Sequence, residues 1–449
     1  IPMLEKISYI GTVWILSIML SAMLLTPVLL SWCGVRKRYA HPINVHPLLD
    51  KVLGLCAAVV TSRLRYGVLA GAAVLFAVSG IYAFKLKVGD ANPGSPILWP
   101  DSTYNKDASA INEKFQGSDR MFVVVSGKKE GALKEPAVLE GMERFQKYME
   151  AQPEVGGSIS LADILPAVKR VVREGNARYQ ELGGNADENG ELVYMFVSGA
   201  DPGDMDRFAD PQAKNGAVTL FFRDHQGETI RTAIARVKEY VANNKLDDAE
   251  FLLAGGLVGV LAAVNEVILA GQIEAIAFAL LVLVVCCMFT YRSTVAGMFF
   301  MVPVLLSNTL TFSYMAWQGI GMNINTLPVV ALGIGLGVDY SFYIVDGIRE
   351  ELHHHQDVGR AILKSISTSG KGVLITALTL VTSVVLWSFS SLRLQADMGV
   401  LIAIWLFISA ASALFLMPAM AYVFRPEFIV GSRRRPIEQV VEIEPLRIG

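Results

Sequence analysis

The sequence predicts an α-helical membrane bundle of seven spans that carries an inserted α+β domain. Hydrophobic residues make up 53% of the chain and charged residues only 18%, which is more apolar than an ordinary soluble domain. Seven apolar runs are long enough to cross a bilayer, and one long polar stretch separates the second run from the third. The formal net charge of −2 leaves no basic field, so we expect no nucleic-acid partner.

The amino-terminal part of the chain predicts two spans joined by a connector. Residues 1–34 hold the first apolar run, and the basic cluster at 36–38 marks its cytoplasmic end by the positive-inside rule. Residues 35–65 predict an amphipathic cytoplasmic connector, and residues 66–84 predict a span that leaves the cytoplasm. The chain opens at Ile1 without a signal sequence, so we expect it to start within a longer protein.

Residues 85–256 predict an α+β domain on the periplasmic side. Short apolar runs with alternating or helical periodicity indicate β-α-β-like units. Strands are expected at 121–125, 217–222 and 251–254, and helical segments at 135–151, 161–182 and 229–243, whereas 191–197 fits either type. The aromatic residues of the domain are expected to pack in its core rather than to line a binding tunnel: Phe115, Phe122, Tyr179, Tyr194 and Phe196.

Residues 257–424 predict five further spans, and residues 425–449 predict a cytoplasmic tail. The run from 257 to 291 is longer than a bilayer needs and carries acidic residues in its first half, so that half is expected to project above the membrane. The cysteines lie in or beside membrane stretches, so we expect no disulfide framework: Cys33, Cys56, Cys286 and Cys287.

The central feature of the sequence is the helix predicted at 326–351, which is apolar around Asp339. An intramembrane carboxylate costs about 2.5–3.5 kcal/mol and is therefore a functional-site hypothesis by default. We interpret Asp339, with Tyr340 beside it, as a proton-binding site that faces the bundle interior; the alternative is an acid paired with a polar neighbour for packing alone. Asp346 lies near the charged end of the helix, so we expect it at the interface between membrane and water. Three glycines would let another helix approach: Gly333, Gly335 and Gly337.

The first and last spans resemble one another when Pro27 is set against Pro418. Further identical residues then coincide: Trp14 with Trp405, Ser21 with Ser412, Ala22 with Ala413, and Leu25 with Leu416. Because transporters are commonly built from repeated halves, the first span is expected to be the last span of a first repeat. A matching amino-terminal half, with its own soluble domain, would then be missing from this chain.

Four segments carry a resemblance to a known family. They are LGIGLGVDYSFYIVDGIREE at 332–351, PGSPILWPDSTYNKDASAINEKFQGSD at 93–119, GIGMNINTL at 319–327 and TALTLVTS at 376–383. Together with the order of span, large domain and five spans, these segments resemble the resistance-nodulation-division (RND) superfamily, and within it the MMPL-type, hopanoid-exporter-like branch. The resemblance implies a fold of two repeated halves, each with six spans and a periplasmic porter domain.

The resemblance also implies roles for particular residues. Asp339 and Tyr340 match the family's proton-relay pair, and polar residues on neighbouring helices would support it: Thr376, Thr379, Ser383 and Asn308. The implied function is export of lipids or other amphiphiles from the bacterial inner membrane, driven by protons as the coupling ion and without another cofactor. The implied partners are membrane lipids, a hydrophobic substrate, the missing half, and a periplasmic carrier or further copies of the chain.

Other functions remain open at the level of the sequence. A Patched-like protein would sense or bind sterols without proton-driven export, a SecDF-like motor would translocate protein, and a broad drug-efflux pump would take other substrates. No combination of nucleophile and base stands out, so we expect no enzymatic activity. The adjacent residues His353, His354 and His355 are expected to be solvated rather than to bind a metal.

Overall fold

The computed structural model describes residues 2–32, 46–253, 255–355 and 357–431. The chain divides into two compact units, Ile1–Lys51 and Val52–Gly449. Among the described residues, seven helices are long and apolar enough to cross a membrane, as the sequence predicts. They are Ser8–Trp32, Leu64–Ala83, Gly256–Tyr291, Thr294–Gln318, Leu327–His354, Val358–Phe389 and Arg393–Phe424.

The first unit consists mainly of one long helix. It contains α1 (Pro2–Leu20) and α2 (Thr26–Trp32), which are joined by a π-helical turn at Ser21–Leu25. The backbone dihedral angles on both sides of the turn stay in the right-handed helical region, so the helix continues through it. Helix α3 (His46–Thr61) begins at the end of this unit.

The predicted connector is helical in the second unit. From Val52 onward, α3 buries Leu53, Cys56 and Val60, which helical spacing places on one face. This pattern agrees with the predicted amphipathic character. A short break then leads into α4 (Leu64–Ala83), the second apolar helix, and a long loop leads to α5 (Thr103–Lys114).

The domain between the second and third apolar helices is built on a four-stranded antiparallel sheet, β2-β3-β1-β4. Its elements, in chain order, are β1 (Asp119–Gly127), α6 (Pro136–Glu150), β2 (Val155–Ile159), α7 (Leu161–Val172), α8 (Ala186–Gly199), β3 (Asn215–Phe222), α9 (Gly227–Asn243) and β4 (Ala249–Leu253). The units β1-α6-β2 and β3-α9-β4 interleave because each strand pairs with a strand of the other unit. This arrangement is a split β-α-β, or ferredoxin-like, topology.

The core of this sheet domain lies between the sheet and helices α6 and α9. Phe145 of α6 contacts both Tyr240 of α9 and Phe251 of β4, with ring centroids 5.2 and 5.1 Å apart. Met121, Val123 and Val125 alternate along β1 with their side chains buried, as a period of two residues requires for one face of a strand. Both helices therefore cover the same face of the sheet.

Several local predictions for this domain need correction. Strand β2 was not predicted, the helix that starts at Leu161 ends at Val172, and the ambiguous segment 191–197 lies within α8. The prediction that the aromatic residues are core residues is wrong for Phe115 and Tyr194, which are 69% and 72% exposed, and for Tyr179, which is also exposed. Aromatic spacing alone does not show which face of a helix or loop meets the sheet.

The remaining helices form the membrane bundle. They are α10 (Gly256–Tyr291), α11 (Thr294–Gln318), α12 (Leu327–His355), α13 (Val358–Val385), α14 (Arg393–Ala411), α15 (Met417–Phe424) and the short α16 (Glu427–Val430). Helix α10 has 36 residues, about 54 Å at 1.5 Å per residue, against a hydrocarbon thickness of about 30 Å. It starts three residues after β4, and Gly255 accepts a backbone hydrogen bond from Phe122 of β1. The sheet domain is thus joined directly to a membrane helix.

The two helices that the sequence aligns as repeats share an unpredicted feature. Helices α14 and α15 are joined by a π-helical turn at Ser412–Leu416. The alignment of Pro27 with Pro418 places this turn at the same position as the turn at Ser21–Leu25 in the first unit. Because π-helical turns are rare, their coincidence adds a structural likeness to the sequence identities.

Candidate functional site

Helix α12 packs closely against α14 through two of its glycines. A Cβ atom added to Gly333 would lie 2.4 Å from the indole of Trp405, and one added to Gly337 would lie 2.5 Å from Oγ of Ser409. Trp405 is fully buried. Gly333 and Gly337 therefore form a notch in the surface of α12, and the side chain of Trp405 fills this notch. Any residue larger than glycine at these two positions would collide with α14.

Asp339 lies on a different face of α12. It comes two residues after Gly337, a rotation of about 200° around the helix, and it is exposed, as are Gly335, Leu336 and Tyr343. A Cβ atom added to Gly335 would meet nothing within 4 Å among the described residues. The prediction that Asp339 faces the bundle interior is therefore wrong for this chain: the glycine notch turns toward α14, and the carboxylate turns away from it.

Tyr340, the other half of the predicted relay pair, is buried and only 3% exposed. Its hydroxyl group has no hydrogen-bond partner among the described residues, and the same is true of Oγ of Ser341, Oδ1 of Asn308 and Nε1 of Trp405. These atoms come from α11, α12 and α14. Buried polar atoms are usually satisfied by protein or by ordered water, so these four atoms are exceptions inside the packed part of the bundle.

The predicted supporting hydroxyls on α13 bond to their own helix. Thr376 donates to the carbonyl of Gly372 at 2.8 Å, Thr379 to Ile375 at 2.8 Å, and Ser383 to Thr379 at 2.8 Å. Thr376, Thr379 and Ser383 are also exposed. The structure does not bring them into a hydrogen bond with Asp339.

The carboxyl-terminal part of α12 is anchored to α10. The Tyr291 hydroxyl donates to Oδ1 of Asp346 at 2.9 Å, and Nη1 of Arg349 lies 3.6 Å from the same oxygen. The ring of Tyr291 is buried and stacks on Phe300 and Phe342. Asp346 therefore has a structural partner that its position near the end of the predicted span did not reveal.

The amino-terminal end of α12 is tied to the sheet domain by a set of contacts that we call the outer joint, formed by Asp90, Asp119, His225, Gly227 and Asn323. Nδ2 of Asn323, in the turn before α12, donates to Oδ1 of Asp90 at 2.6 Å. The backbone carbonyl of Asp90 accepts from the N–H of Gly227, the first residue of α9, at 2.8 Å. Asp90 thus links the turn before α12 to a helix of the sheet domain through its side chain and its backbone.

His225 is the titratable base of the outer joint. Its Nδ1 lies 2.8 Å from Oδ2 of Asp119, and both side chains are nearly buried. The hydrogen bond with Asp119 raises the pKa of His225, burial opposes this shift, and the charges of Asp119 and Asp90 add to it. The pKa of Asp90 is also raised, chiefly because burial disfavours its charged form, although Asn323, His225 and Arg393 oppose this. Sequence reasoning missed this cluster because its members are far apart along the chain.

Close backbone contacts hold the outer joint together. Gly89 donates to the carbonyl of Met322, and Met322 donates to the carbonyl of Lys87, each at 2.8 Å. A Cβ atom added to Gly321 would lie only 1.9 Å from the carbonyl oxygen of Gly89. The turn before α12 therefore pairs with the loop that enters the sheet domain, and glycine is required where the two backbones meet.

Comparisons with known proteins identify the family. Residues 97–440 match the model of the MMPL family, which is more than half of the chain. The chain belongs to the MMPL family. The family predicted from the motifs is thus confirmed. Because MMPL relatives include named exporters, this MMPL chain belongs to a family of transporters, and its apolar helices make it a membrane protein.

Two relatives of this MMPL chain have named cargo. The siderophore exporter MmpL5 of Mycobacterium tuberculosis is 26% identical over 281 residues, which cover 57% of this chain and 28% of MmpL5. The mycolic acid-containing lipids exporter MmpL11 of Mycolicibacterium smegmatis is 28% identical over 103 residues, 22% of this chain and 11% of MmpL11. This MMPL chain therefore spans less than a third of the length of either exporter.

A solved structure has a related fold. The hedgehog release protein Disp from the water bear Hypsibius dujardini, determined by cryo-EM, aligns with 88% of this MMPL chain and 51% of its own chain, with a TM-score of 0.54. The sequence identity is 12%, so this likeness concerns the fold alone.

Proposed function

We propose that this chain is the carboxyl-terminal half of a proton-driven exporter that moves lipids or other amphiphilic molecules out of the bacterial inner membrane through its sheet domain. The observation that carries the proposal is the position of Asp339. It lies about 18 Å along α12 from the first residue of the helix, close to the depth of a bilayer centre, and on an exposed face of the bundle.

A carboxylate at that depth needs either a proton or a polar partner. The charged form costs about 2.5–3.5 kcal/mol on insertion scales, and moving one charge across the membrane releases about 2.3 kcal/mol per 100 mV. The energy that one proton gains from the membrane potential is therefore of the same order as the cost of the charged carboxylate. The coupling ion is the proton, and the proposal requires no other cofactor.

The exposed face of α12 fits a partner helix from the missing amino-terminal half. Gly335 and Asp339 lie four residues apart on this face, so a helix that crosses at Gly335 would approach the carboxylate closely. The exposed hydroxyls of Thr376, Thr379 and Ser383 would line the same interface from α13. The matching π-helical turns at Ser21–Leu25 and Ser412–Leu416 support the proposal of a repeated architecture.

Two connections would carry a change at Asp339 to the sheet domain. The outer joint ties the start of α12 to α9, and α10 continues from β4 into the membrane. The relay helix also contacts α10 through Tyr291 and Asp346. A shift of α12 when Asp339 changes its charge would therefore be transmitted along hydrogen-bonded contacts at both ends of the helix.

The substrate class in this proposal rests on the relatives. MmpL11 is named as an exporter of mycolic acid-containing lipids and MmpL5 as a siderophore exporter. An amphiphile is the class that a chain with a membrane bundle and an attached sheet domain is suited to move. A periplasmic carrier or further copies of the chain would complete the pathway.

The substitution Asp339→Asn in the complete two-half protein tests the proposal. The amide keeps the shape of the side chain and cannot exchange a proton, so we expect transport of a labelled lipid to fall to background while the protein still folds. Glu350→Gln is the matched control, because Glu350 is an exposed acid near the cytoplasmic end of the same helix. We expect transport by this control to be unchanged.

The proton gradient decides between this proposal and its alternatives. Dissipating the gradient should stop transport by the unsubstituted protein. Transport that persists in Asp339→Asn or without a gradient would exclude the proton-driven mechanism. Lipid binding without any gradient-dependent movement would favour a lipid-sensing protein, and gradient-dependent movement of a drug in place of a lipid would favour broad efflux.

A further inference from the structure

A cavity of about 700 Å³ opens between the sheet domain and the start of the long membrane helix. One wall is α9, the other wall is the first three turns of α10, and Val88 closes one end. The volume lies within the range of about 300–1,000 Å³ that is typical of small-molecule sites. We call this cavity the α9–α10 groove.

The groove is lined mainly by aliphatic and small residues. Apolar side chains come from α9, from the end of β4 and from α10: Ile230, Ile234, Leu253, Val260, Ala262 and Ala263. The glycines at the end of the groove allow two chain segments to meet, since a Cβ atom on Gly89 would lie 2.6 Å from Nδ2 of Asn265. An apolar lining of this size is suited to an alkyl chain.

Charged side chains mark the rim of the groove. Arg231 and Lys238 lie seven residues apart on α9, so they share one face of that helix, and both are exposed. Arg231 interacts electrostatically with Glu228 of the same helix, whereas Lys238 forms no ion pair or hydrogen bond with a described residue. The opposite wall contributes Glu266, which is also exposed and without such a partner among the described residues. The rim therefore has an excess of one positive charge.

Exposed apolar residues lie along α10 both beside the groove and beyond it. Leu257, Val260, Val267 and Ile273 follow one another along this helix with exposed fractions of 49%, 55%, 56% and 64%. All four residues lie in the first half of α10, which the sequence predicts to project above the membrane. A molecule that moves along α10 from the bilayer to the groove would pass these apolar side chains and the exposed carboxylates of Glu274 and Glu266.

We propose that the α9–α10 groove binds an anionic amphiphile drawn from the membrane, with its alkyl chain between the two helices and its headgroup at Arg231 and Lys238. This inference rests on the proposed function, because it assigns a binding site and a headgroup charge to the exported amphiphile. The apolar lining of the cavity selects an alkyl chain. The two exposed cations at the rim, Arg231 and Lys238, favour an anionic headgroup over a zwitterionic or cationic one.

The groove is also connected to the outer joint through shared residues. Val88 and Gly227 line the groove, and they are neighbours of Asp90 in the network that holds the turn before α12. An occupant that separates α9 from α10 would pull on the same contacts that position the relay helix. Binding in the groove is therefore placed where it can be coupled to protonation of Asp339.

Binding of two probes to the purified full chain in neutral detergent tests the site. The probes are lysophosphatidylglycerol, which is anionic, and lysophosphatidylcholine with the same acyl chain, which is zwitterionic. Native mass spectrometry or a displacement titration gives both affinities. We expect the anionic probe to bind more tightly than the zwitterionic one.

Three substitutions at the rim should change the affinity for the anionic probe, two by lowering it and one by raising it. Arg231→Gln and Lys238→Gln should each weaken binding of the anionic probe about threefold to fivefold, as expected for a partly solvated charge pair. Glu266→Gln should strengthen binding of the same probe, because it removes a like charge from the rim. The zwitterionic probe should respond much less to all three. Lys106→Gln, at an exposed lysine of α5, is the control for general surface charge.

A steric variant tests the alkyl chain separately. Ala235 is exposed on α9 and lines the groove, so Ala235→Trp should fill the groove and abolish binding of both probes. Asn243→Trp is the control, because Asn243 is exposed on the same helix and helical spacing turns it away from Arg231, Ala235 and Lys238, and it should leave binding intact. Unchanged binding in Ala235→Trp, or equal affinity for both probes, would overturn the proposal.

The outcome for the groove can be separated from the outcome for the proposed function. Binding in detergent needs no proton gradient. If these variants leave binding unchanged while Asp339→Asn still abolishes transport, the groove is not the site but the exporter proposal stands. If binding follows the charge pattern while transport ignores Asp339, the site stands and proton coupling fails.

Discussion

The glycine notch of α12 allows a sharp test of the bundle packing. In the substitution Gly333→Ala, the new methyl group would lie 2.4, 2.6 and 2.8 Å from three ring atoms of the buried Trp405. These separations are far below van der Waals contact, so α12, α14 or the indole must shift. Overpacking of this kind costs about 1–3 kcal/mol.

A second glycine of the same helix gives the matched control. In Gly335→Ala the added methyl group meets nothing within 4 Å among the described residues. Both substitutions gain the same helix propensity, up to about 1 kcal/mol for alanine over glycine. The difference in the free energy of unfolding between the two variants therefore isolates the clash, and we expect Gly333→Ala to be less stable by about 1–3 kcal/mol.

The assay is unfolding of the purified chain in mixed micelles, followed by near-ultraviolet circular dichroism. Gly333→Ala should unfold at a lower denaturant fraction than the unsubstituted chain, and Gly335→Ala at the same or a higher one. Adding Trp405→Phe to Gly333→Ala should recover part of the loss, because the smaller ring leaves room for the methyl group, with a coupling of about 0.5–3 kcal/mol. Equal stability of the two alanine variants would refute the packing of Trp405 in the notch.

Two further predictions concern the contacts near the two ends of α12. The hydrogen bond with Asp119 raises the pKa of His225 in the folded protein. The protonated His225 therefore stabilises the fold fully below about pH 6.5, which is the pKa of histidine in the unfolded chain. This stabilisation is lost as the pH rises through the higher pKa of the folded protein. The melting temperature of the unsubstituted chain should therefore fall over this range more than that of His225→Gln; parallel curves for the two proteins would contradict this role. Tyr291→Phe removes the hydroxyl that donates to Asp346 at 2.9 Å and should destabilise the chain by about 0.5–1.5 kcal/mol in the same unfolding assay, whereas a neutral result would mean that Asp346 finds another donor.

The sequence alone predicts the elements whose signals are local. Apolar runs long enough for a bilayer predict all seven crossing helices, and the length of the run after residue 257 predicts that α10 projects beyond the membrane. Alternating patterns predict three of the four strands. The fourth, β2, has the sequence VGGSI, in which two glycines and a serine leave too few apolar side chains for a periodic signal.

The motif around Asp339 identifies the family but not the geometry of the site. The helix is apolar on every side, so its sequence contains no polar face to show which residues meet α14 and which meet another partner. Only the packed bundle shows that Gly333 and Gly337 receive Trp405 while Asp339 turns to the exposed face. A helix repeat of 3.6 residues fixes the angle between Gly337 and Asp339 around the helix axis. It does not show which of the two residues faces α14.

What the sequence by itself determined is the class of the protein: its membrane helices, its inserted domain, its family and the acid in its central span. These follow from short-range patterns of hydrophobicity and from contiguous motifs. Only the tertiary structure decided the outer joint of Asp90, Asp119, His225 and Asn323, and the groove between α9 and α10. Both depend on segments that are distant in the chain and meet only after the sheet and the bundle have packed, so no local pattern encodes them.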